Sequence, residues 1–467
     1  MPERINLTLV LNSNQTLKRV IITPKLLSTI LESCIKKFPA VKKPRLFTPS
    51  GSEITCQEDV DLHVVNQCVL VVSNGENFIG VKKAAGSDDG RVAAVVRIIA
   101  DVSDVDSIAV KQLEQTARLP GVRYAIGMPD LHAGNQFPIG TVIITENFVY
   151  PALIGGDIGC GMSLWTTSIP SHSINPARLA SKLRDLEGAW DGDAKQWLSE
   201  NSPSFSAEVE EMMSQFHDSL GTVGGGNHFA ELQVAASIVD REAFESLGLV
   251  EGNACLLVHT GSRGFGTKIL QSQPHGGLSP NTPEYTSYIS LHDAALHYAK
   301  RNRDLVAHRF LSCINASSSA TRVIDIHHNN VTHQPIGDEQ LYMHRKGAAP
   351  SDKGAIVIPG SRGDLSYLVV PTAQGLENGF SLAHGAGRKL TRTDALMRFK
   401  DKYRGDAGRA ALERTALGSV VVCDGDLWYE ESPEAYKPVE GIIEDLKEYC
   451  RVVAILKPVV TYKLRRE

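Results

Sequence analysis

Ile5 to Leu11 alternates apolar and polar residues, and Val20 to Ile22 forms a second β-branched run. A period of two is the signature of a strand with one buried face. The pattern then changes. Thr23-Pro24 has the form of an N-cap followed by proline at the first helical position, and Leu26, Leu27, Ile30, Leu31, Cys34, Ile35 and Phe38 recur at intervals of three and four. This predicts a helix with one apolar stripe, and Lys36 and Lys37 suit its C-terminal end. Arg45 to Phe47, the turn Pro49-Ser50-Gly51 and Val69 to Val72 predict the last strands. The order β-β-α-β-β within residues 1–80 predicts a small β-grasp, ubiquitin-like module, whose expected role is docking and not catalysis.

Residues 81–90, VKKAAGSDDG, are too small and charged to bury a core and predict a linker. The remainder, residues 91–467, predicts one large catalytic domain of mixed helices and strands, so the fold class is α+β. Within it, Gly121 to Thr145 has a strand-loop-strand pattern that puts Asp130 and His132 in a Gly-flanked loop. Helical periodicity returns near residues 176–186, 206–220 and 291–310, whereas 271–288, rich in Pro, Gly, Ser and Asn, predicts a surface excursion.

Composition narrows the class. A chain of 467 residues with 42% hydrophobic and 22% charged residues is that of a globular protein. It has no apolar run near the roughly 18 residues of a membrane span. The start of the chain lacks the basic-then-apolar pattern of a secretion signal, so cytoplasmic residence is expected, with the nucleus as the alternative. Eight cysteines are scattered with no C-x-x-C pair, against a disulfide framework or a zinc knuckle. A net charge of -5 gives no global attraction for nucleic acid. Any nucleic-acid partner must be held by a local basic patch, and residues 388–404 are the candidate run.

The chemistry gathers around ALIGGDIGCGMSLW at residues 152–165. Asp157 offers a hard oxygen and Cys160 a soft thiolate, and the surrounding glycines let the backbone turn tightly enough for both to face one point. Histidines stand after Gly-rich or apolar runs: His228 in GTVGGGNHFAE, His259 in CLLVHTGSRGFG, and the pair His327-His328 in VIDIHHNN. With Asp157 and Cys160 they make enough donors for a two-metal centre sharing one thiolate. Gly-rich turns at 224–226, 261–266, 359–363 and 384–388 offer backbone N–H groups to anions, with Arg263, Arg362 and Arg388 as forked donors. Neither a P-loop nor a dinucleotide fingerprint is present.

In register from about residue 91 to the end, MPDLH, GGDIGCGM, GGGNHFAE, HTGSRG, DIHHN, HRKG, PGSRGDLSY, AHGAGR and EESPEAYK through VVAILKPVVTYK resemble the RtcB family of RNA ligases. The N-terminal strings RLFTPSGSEIT and VLVVSNGENF are similar to the later strands of doublecortin-type domains. The RtcB resemblance implies joining of an RNA 3'-phosphate or 2',3'-cyclic phosphate end to a 5'-hydroxyl end, with GTP and two Mn2+ ions. It implies Asp157, Cys160 and His228 on one ion, Cys160, His259 and His328 on the other, and His384 as the guanylylated nucleophile. His328 is preferred over His327 because the family's ligand directly precedes the asparagine, here Asn329.

The guanine-nucleotide contacts implied are Asn227, His228, Phe229, Ala230, Glu231, His328, Asn329, Pro359, Gly360, Ser361, Arg362, Ser366, His384, Gly385, Ala386, Gly387 and Lys463. Candidate partners are broken RNA ends, an archease-like activator and a protein bound by the N-terminal module. Repair and tRNA splicing are both open as the role. The competing readings are a metal-dependent cyclic phosphodiesterase, which leaves GTP untouched, and a catalytically silent scaffold. Arg362 departs from the methionine often found there in the family.

Overall fold

A computed structural model describes residues 4–13, 18–48, 53–64, 68–76, 94–183, 186, 188–200, 202–273, 276–336, 339–373 and 375–464. The chain divides into two compact units, residues 1–91 and 92–467. The expected linker at 81–90 lies outside the described residues.

In the first unit, Arg4–Leu11 pairs antiparallel with Lys18–Pro24 and parallel with Val69–Ser73, and Arg45–Phe47 joins the far side of Val69–Ser73. A two-residue strand, Glu53–Ile54, closes the edge, and a short helix, Gln57–His63, which the periodicity did not predict, precedes the last strand. The alternation translates directly into burial: Ile5, Leu7 and Leu9 face a core shared with Ile30 and Cys34 of the helix Leu27–Lys37. The helix starts later than Thr23-Pro24 predicted. Those residues finish the second strand, Leu26 is the N-cap, and Gln57 Oε1 accepts from Leu27 N at 3.0 Å in place of a local cap. Leu26 and Ile35 of the predicted stripe remain exposed.

The second unit packs two sheets face to face. The larger, of eight strands, runs in the order Thr321–His327, Gly161–Pro170, Asn253–Thr260, Phe229–Ile238, Cys450–Lys463, Ser366–Pro371 and Ile356–Pro359, with Val420–Cys423 alongside Cys450–Lys463. The smaller, of five, runs Asn329–Ile336, Glu339–Lys346, Ile139–Glu146, Val122–His132 and Val95–Ile98. Period-two alternation sorts the side chains of each strand. Leu257 points to the core between the sheets with Met128, Val142 and Ile326, whereas its neighbours Leu256 and Val258 point to the far face, where Val306 and Phe310 of the long helix Pro283–Cys313 cover them.

That helix begins inside the expected surface excursion. Thr282 caps it by accepting from Tyr285 N, and Pro283 sits at its first position, where a missing N–H costs nothing. The other predicted helices are present as Pro176–Lys182 and Ala207–Ser214, the latter followed by a 3-10 turn at His217–Ser219. Among the described residues no helix is long and apolar enough to cross a membrane.

Candidate active site

Register brings the metal-ligand candidates to one end of the larger sheet. Phe229 lies opposite His259, His259 opposite Met162, and His327 opposite Gly161, so His228, His259, Cys160 and His328 form a row across four neighbouring strands. Asp157 joins from the Gly-rich turn before Cys160. Their donor atoms form two groups, Asp157–Cys160–His228 and Cys160–His259–His328, each within 4.8 Å and with Cys160 in both. Cys160 Sγ lies 3.3 Å from Nε2 of His228 and of His259, and the Nε2 atoms of His259 and His328 are 3.2 Å apart.

These residues fit a cation better than they fit one another. His228 Nδ1 faces the Val223 carbonyl at 3.2 Å and Nε2 faces Asp157 Oδ2 at 2.8 Å, so a neutral ring that donates to Val223 turns a lone pair toward Asp157. Two lone pairs at that distance repel unless a cation or proton lies between them. Burial, aided by the neighbouring imidazoles, holds His259 and His328 well below the usual histidine range, so both rings are neutral ligands at pH 7. Burial pushes the Cys160 thiol well above its usual range, and Asp157 adds to it. For Asp157, burial acts upward, but His228 and the Cys160 thiol outweigh it and hold the carboxyl low. The mixed thiolate, imidazole and carboxylate donor set suits zinc or cobalt.

His384 follows the short strand Ser381–Ala383 and is buried beside this cluster, its ring centroid 4.7 Å from that of His328 and 6.3 Å from that of His259. Its Nδ1 lies 2.6 Å from Oδ2 of the fully buried Asp130, which also accepts from His384 N at 3.2 Å. A carboxylate is an acceptor, so in the neutral ring Nδ1 carries the proton and Nε2 keeps its lone pair. Asp130 is the residue whose role the sequence reading missed, although MPDLH displayed it. It lies at the end of the strand Val122–His132, where the register against Ile139–Glu146 shifts, and not in a loop. Lys437 supports it from behind, donating to the Pro129 and Leu131 carbonyls at 3.0 and 2.8 Å. Gly387, at φ +68°, is required as glycine: a Cβ there would come within 2.4 Å of the Asp130 carbonyl oxygen.

A cleft of about 820 Å³ opens over both groups. Asn227, Phe229, Glu231, Asn329 and Lys463 line it, as do Pro359 to Arg362 and His384 to Gly387. His228, Ala230 and Ser366 do not. Ala230 points to the opposite face of its strand, into the core under the long helix, and the Ser366 hydroxyl lies behind Glu231, accepting from Gln233 Nε2 at 2.8 Å. The same amide nitrogen donates to Glu231 Oε1 at 2.7 Å, and the Thr461 hydroxyl donates to Oε2. Burial pushes Glu231 up to about 7 against the pull of those donors. Lys463 donates to the His228 carbonyl at 3.0 Å and lies 3.4 Å from Glu431. Burial acts to raise Glu431, but Lys463 and Arg388 override it and hold the group at about 2.

The arginines expected to hold phosphate are more committed than their loops suggested. Arg388 donates to Glu431, to the Glu430 carbonyl and to the Leu390 carbonyl, and Arg362 lies over the Trp428 ring with Nη2 on the Trp428 carbonyl at 2.6 Å. Arg263 donates to the Thr222 hydroxyl at 3.1 Å. Arg392, not singled out from sequence, lines the cleft with its side chain half exposed. In the basic run, the helix Arg392–Lys402 is capped by Thr391, and Lys400 and Lys402 pair with Asp426 and Glu434.

The family described as tRNA-splicing ligase RtcB matches residues 112–215, 187–275 and 276–464. An RNA-splicing ligase RtcB2 of Escherichia coli is 43% identical over 377 residues, 79% of this chain and 96% of the relative. A tRNA-splicing ligase RtcB of Archaeoglobus fulgidus is 28% identical over 75% of this chain and 90% of its own length. An RNA-splicing ligase RtcB homolog 1 of Entamoeba dispar is 27% identical over 83% and 88%. With the family's match running through both sheets and every residue of the two ligand groups, this chain belongs to the RtcB family.

Proposed function

We propose that this chain is an RNA ligase that joins 3'-phosphate or 2',3'-cyclic phosphate ends to 5'-hydroxyl ends, using GTP and two manganese ions. Asp157, Cys160 and His228 would hold one ion, and Cys160, His259 and His328 the other. The observation that carries the reading is the imidazole of His384, fixed by Asp130 with its Nε2 lone pair free and its ring against His328.

An unprotonated Nε2 is what attack on the α-phosphorus of GTP requires. That attack forms a nitrogen–phosphorus bond and breaks the bond to the β-phosphate oxygen, releasing pyrophosphate. Asp130 stabilises the positive charge that develops on the ring, as a carboxylate does behind other histidines that gain charge. An RNA 3'-phosphate oxygen then takes the guanylyl group from Nε2, and the 5'-hydroxyl displaces GMP from the resulting RNA-pyrophosphate-guanosine end. A cyclic phosphate end must first add water and open to the 3'-phosphate. Bound divalent ions supply charge neutralisation at the phosphate oxygens and the leaving group. Glu231, its oxygens oriented by Gln233 and Thr461, accepts from the guanine ring N–H and exocyclic amine, where adenine would present a lone pair. Backbone N–H groups of the turns at Pro359 to Arg362 and Gly385 to Gly387 suit the phosphates. The names of the relatives support RNA as the substrate. The N-terminal unit, read as a β-grasp docking module, lies before the first matched residue, 112.

The test is incubation with manganese and GTP labelled at the α-phosphate. The native chain should give a labelled band stable to alkali and lost in acid, as a phosphoramidate is. His384→Ala should give no band while still binding metal. A band of equal strength in that variant would place the nucleophile elsewhere, and no band in either protein would favour the cyclic phosphodiesterase.

A further inference from the structure

The loops that carry the metal-ligand candidates rest on the long helix Pro283–Cys313, and the fully buried pair Asn302-Arg303 is where the helix meets them. Arg303 Nη1 donates to the carbonyls of Gly159 at 2.9 Å and Thr260 at 3.1 Å. Its Nη2 lies 3.2 Å from His327 Nδ1. Gly159 directly precedes Cys160, Thr260 directly follows His259, and His327 directly precedes His328. One guanidinium therefore touches the chain neighbour of every residue in the Cys160–His259–His328 group. Asn302 braces the adjoining turns, donating to the Thr222 and Gly261 carbonyls and accepting from Gly221 N at 2.7 Å.

We propose that Arg303 is the positioning residue of the second metal ion, fixing the spacing of Cys160 Sγ, His259 Nε2 and His328 Nε2 before the ion arrives. The inference rests on the two-ion reading above. Its physical basis is that three buried ligand tips, with Cys160 Sγ and His328 Nε2 at 3.3 and 3.2 Å from His259 Nε2, are crowded together and keep that spacing only while their backbone is held. A guanidinium suits this task because its five donors lie in one rigid plane and reach several acceptors at once, which an ammonium on a flexible stem does not. The charge is matched locally. Arg303 Nε donates to Asp325 Oδ1 at 2.7 Å, so the brace stands beside a cation site without adding net charge. His327 is thereby accounted for as well. Its Nδ1 is turned to Arg303 and to the Gly159 carbonyl at 3.0 Å, on the brace side of the strand end, leaving His328 to the ligand group.

The test is cobalt(II) titration of the full-length, metal-stripped chain, followed by d–d and thiolate-to-cobalt absorption and by cobalt content after gel filtration. The native chain should take up two equivalents. Arg303→Met should keep one tight equivalent and bind the second about 10- to 100-fold more weakly, the usual loss when a supporting contact of a metal site is removed. Arg303→Lys keeps the charge but not the fork, and it too should weaken the second equivalent. If Arg303→Met does not melt cooperatively, Arg303→Lys and the paired variant Arg303→Met with Asp325→Leu, which leaves no lone buried carboxylate, carry the measurement. Any folded Arg303 variant with native affinity and spectrum at both steps overturns the proposal. A native chain that takes up only one equivalent overturns the two-ion reading itself, and this proposal with it.

Discussion

Two walls of one cleft stand on the same sheet and handle burial in opposite ways. On the metal-ligand wall, the ligand atoms of Asp157, Cys160, His228, His259 and His328 crowd one another, and among the described residues the Nδ1 atoms of His259 and His328 have no hydrogen-bond partner. On the opposing wall, each oxygen of Glu231 already receives a donor, one from Gln233 and one from Thr461. The first wall is complete only when a cation arrives. The second is held in shape by its own residues, and the hydrogen-bonding capacity it has left over is to accept.

Cys160→Ser attacks the incomplete wall where its two ligand groups meet. It should remove a ligand from both, lower bound metal and bring ligation to background without unfolding the chain. Full manganese-dependent activity in that variant would sink the shared-thiolate reading. Asp130→Asn leaves every metal ligand in place but offers His384 Nδ1 an amide in place of a carboxylate, which permits the wrong tautomer. Guanylylation should fall by roughly 10³- to 10⁴-fold, as in other histidines deprived of their carboxylate, while cobalt uptake stays native. An equal loss of metal would show that Asp130 serves the fold and not the nucleophile.

Glu231→Gln tests the self-supporting wall. Losing a charged acceptor costs about 1.5–3 kcal/mol, so GTP affinity should fall roughly 10- to 100-fold, with metal uptake untouched. Because burial raises Glu231 to about 7, GTP affinity in the native chain should rise as pH increases through that value, and Glu231→Gln should flatten the rise. The stability consequence has the opposite sign. A carboxyl whose folded value exceeds its ordinary 4.5 binds its proton more tightly when folded, so its contribution to stability declines between about 4.5 and 7. Thermal melts at pH 5 and 8 should therefore differ less in Glu231→Gln than in the native chain. The smallest effect is expected from removing residues 1–91, since the two units are separately compact. A chain starting at Val92 should ligate RNA within about twofold of the full chain, and failure to fold would join the first unit to the catalytic core.

Sequence revealed the strands and the ligand row for the same reason. Alternation records which face is buried, and glycines mark where the backbone bends around Asp157 and Cys160. It failed where a partner lies far along the chain. Nothing local marks Gln233, whose partner Ser366 lies 133 positions away. Arg388 read as a phosphate donor because Glu431, 43 positions on, is invisible from its loop. Pro283 read as part of a surface excursion, although proline opens helices as readily as it ends them. Asp130 read as a loop residue because Pro129 and the glycines around it punctuate the string, while the observed strand runs through them.

Gly347 gives the proposed nucleophile, His384, an entropic character. At φ +65° it lies so close to His384 that a Cβ there would come within 2.9 Å of the ring carbon Cε1. Asp130 on Nδ1 and His328 against the ring confine the imidazole from two further sides. The disorder of that side chain is surrendered once, during folding, and is not lost again at each turnover when a nucleotide must be met in line.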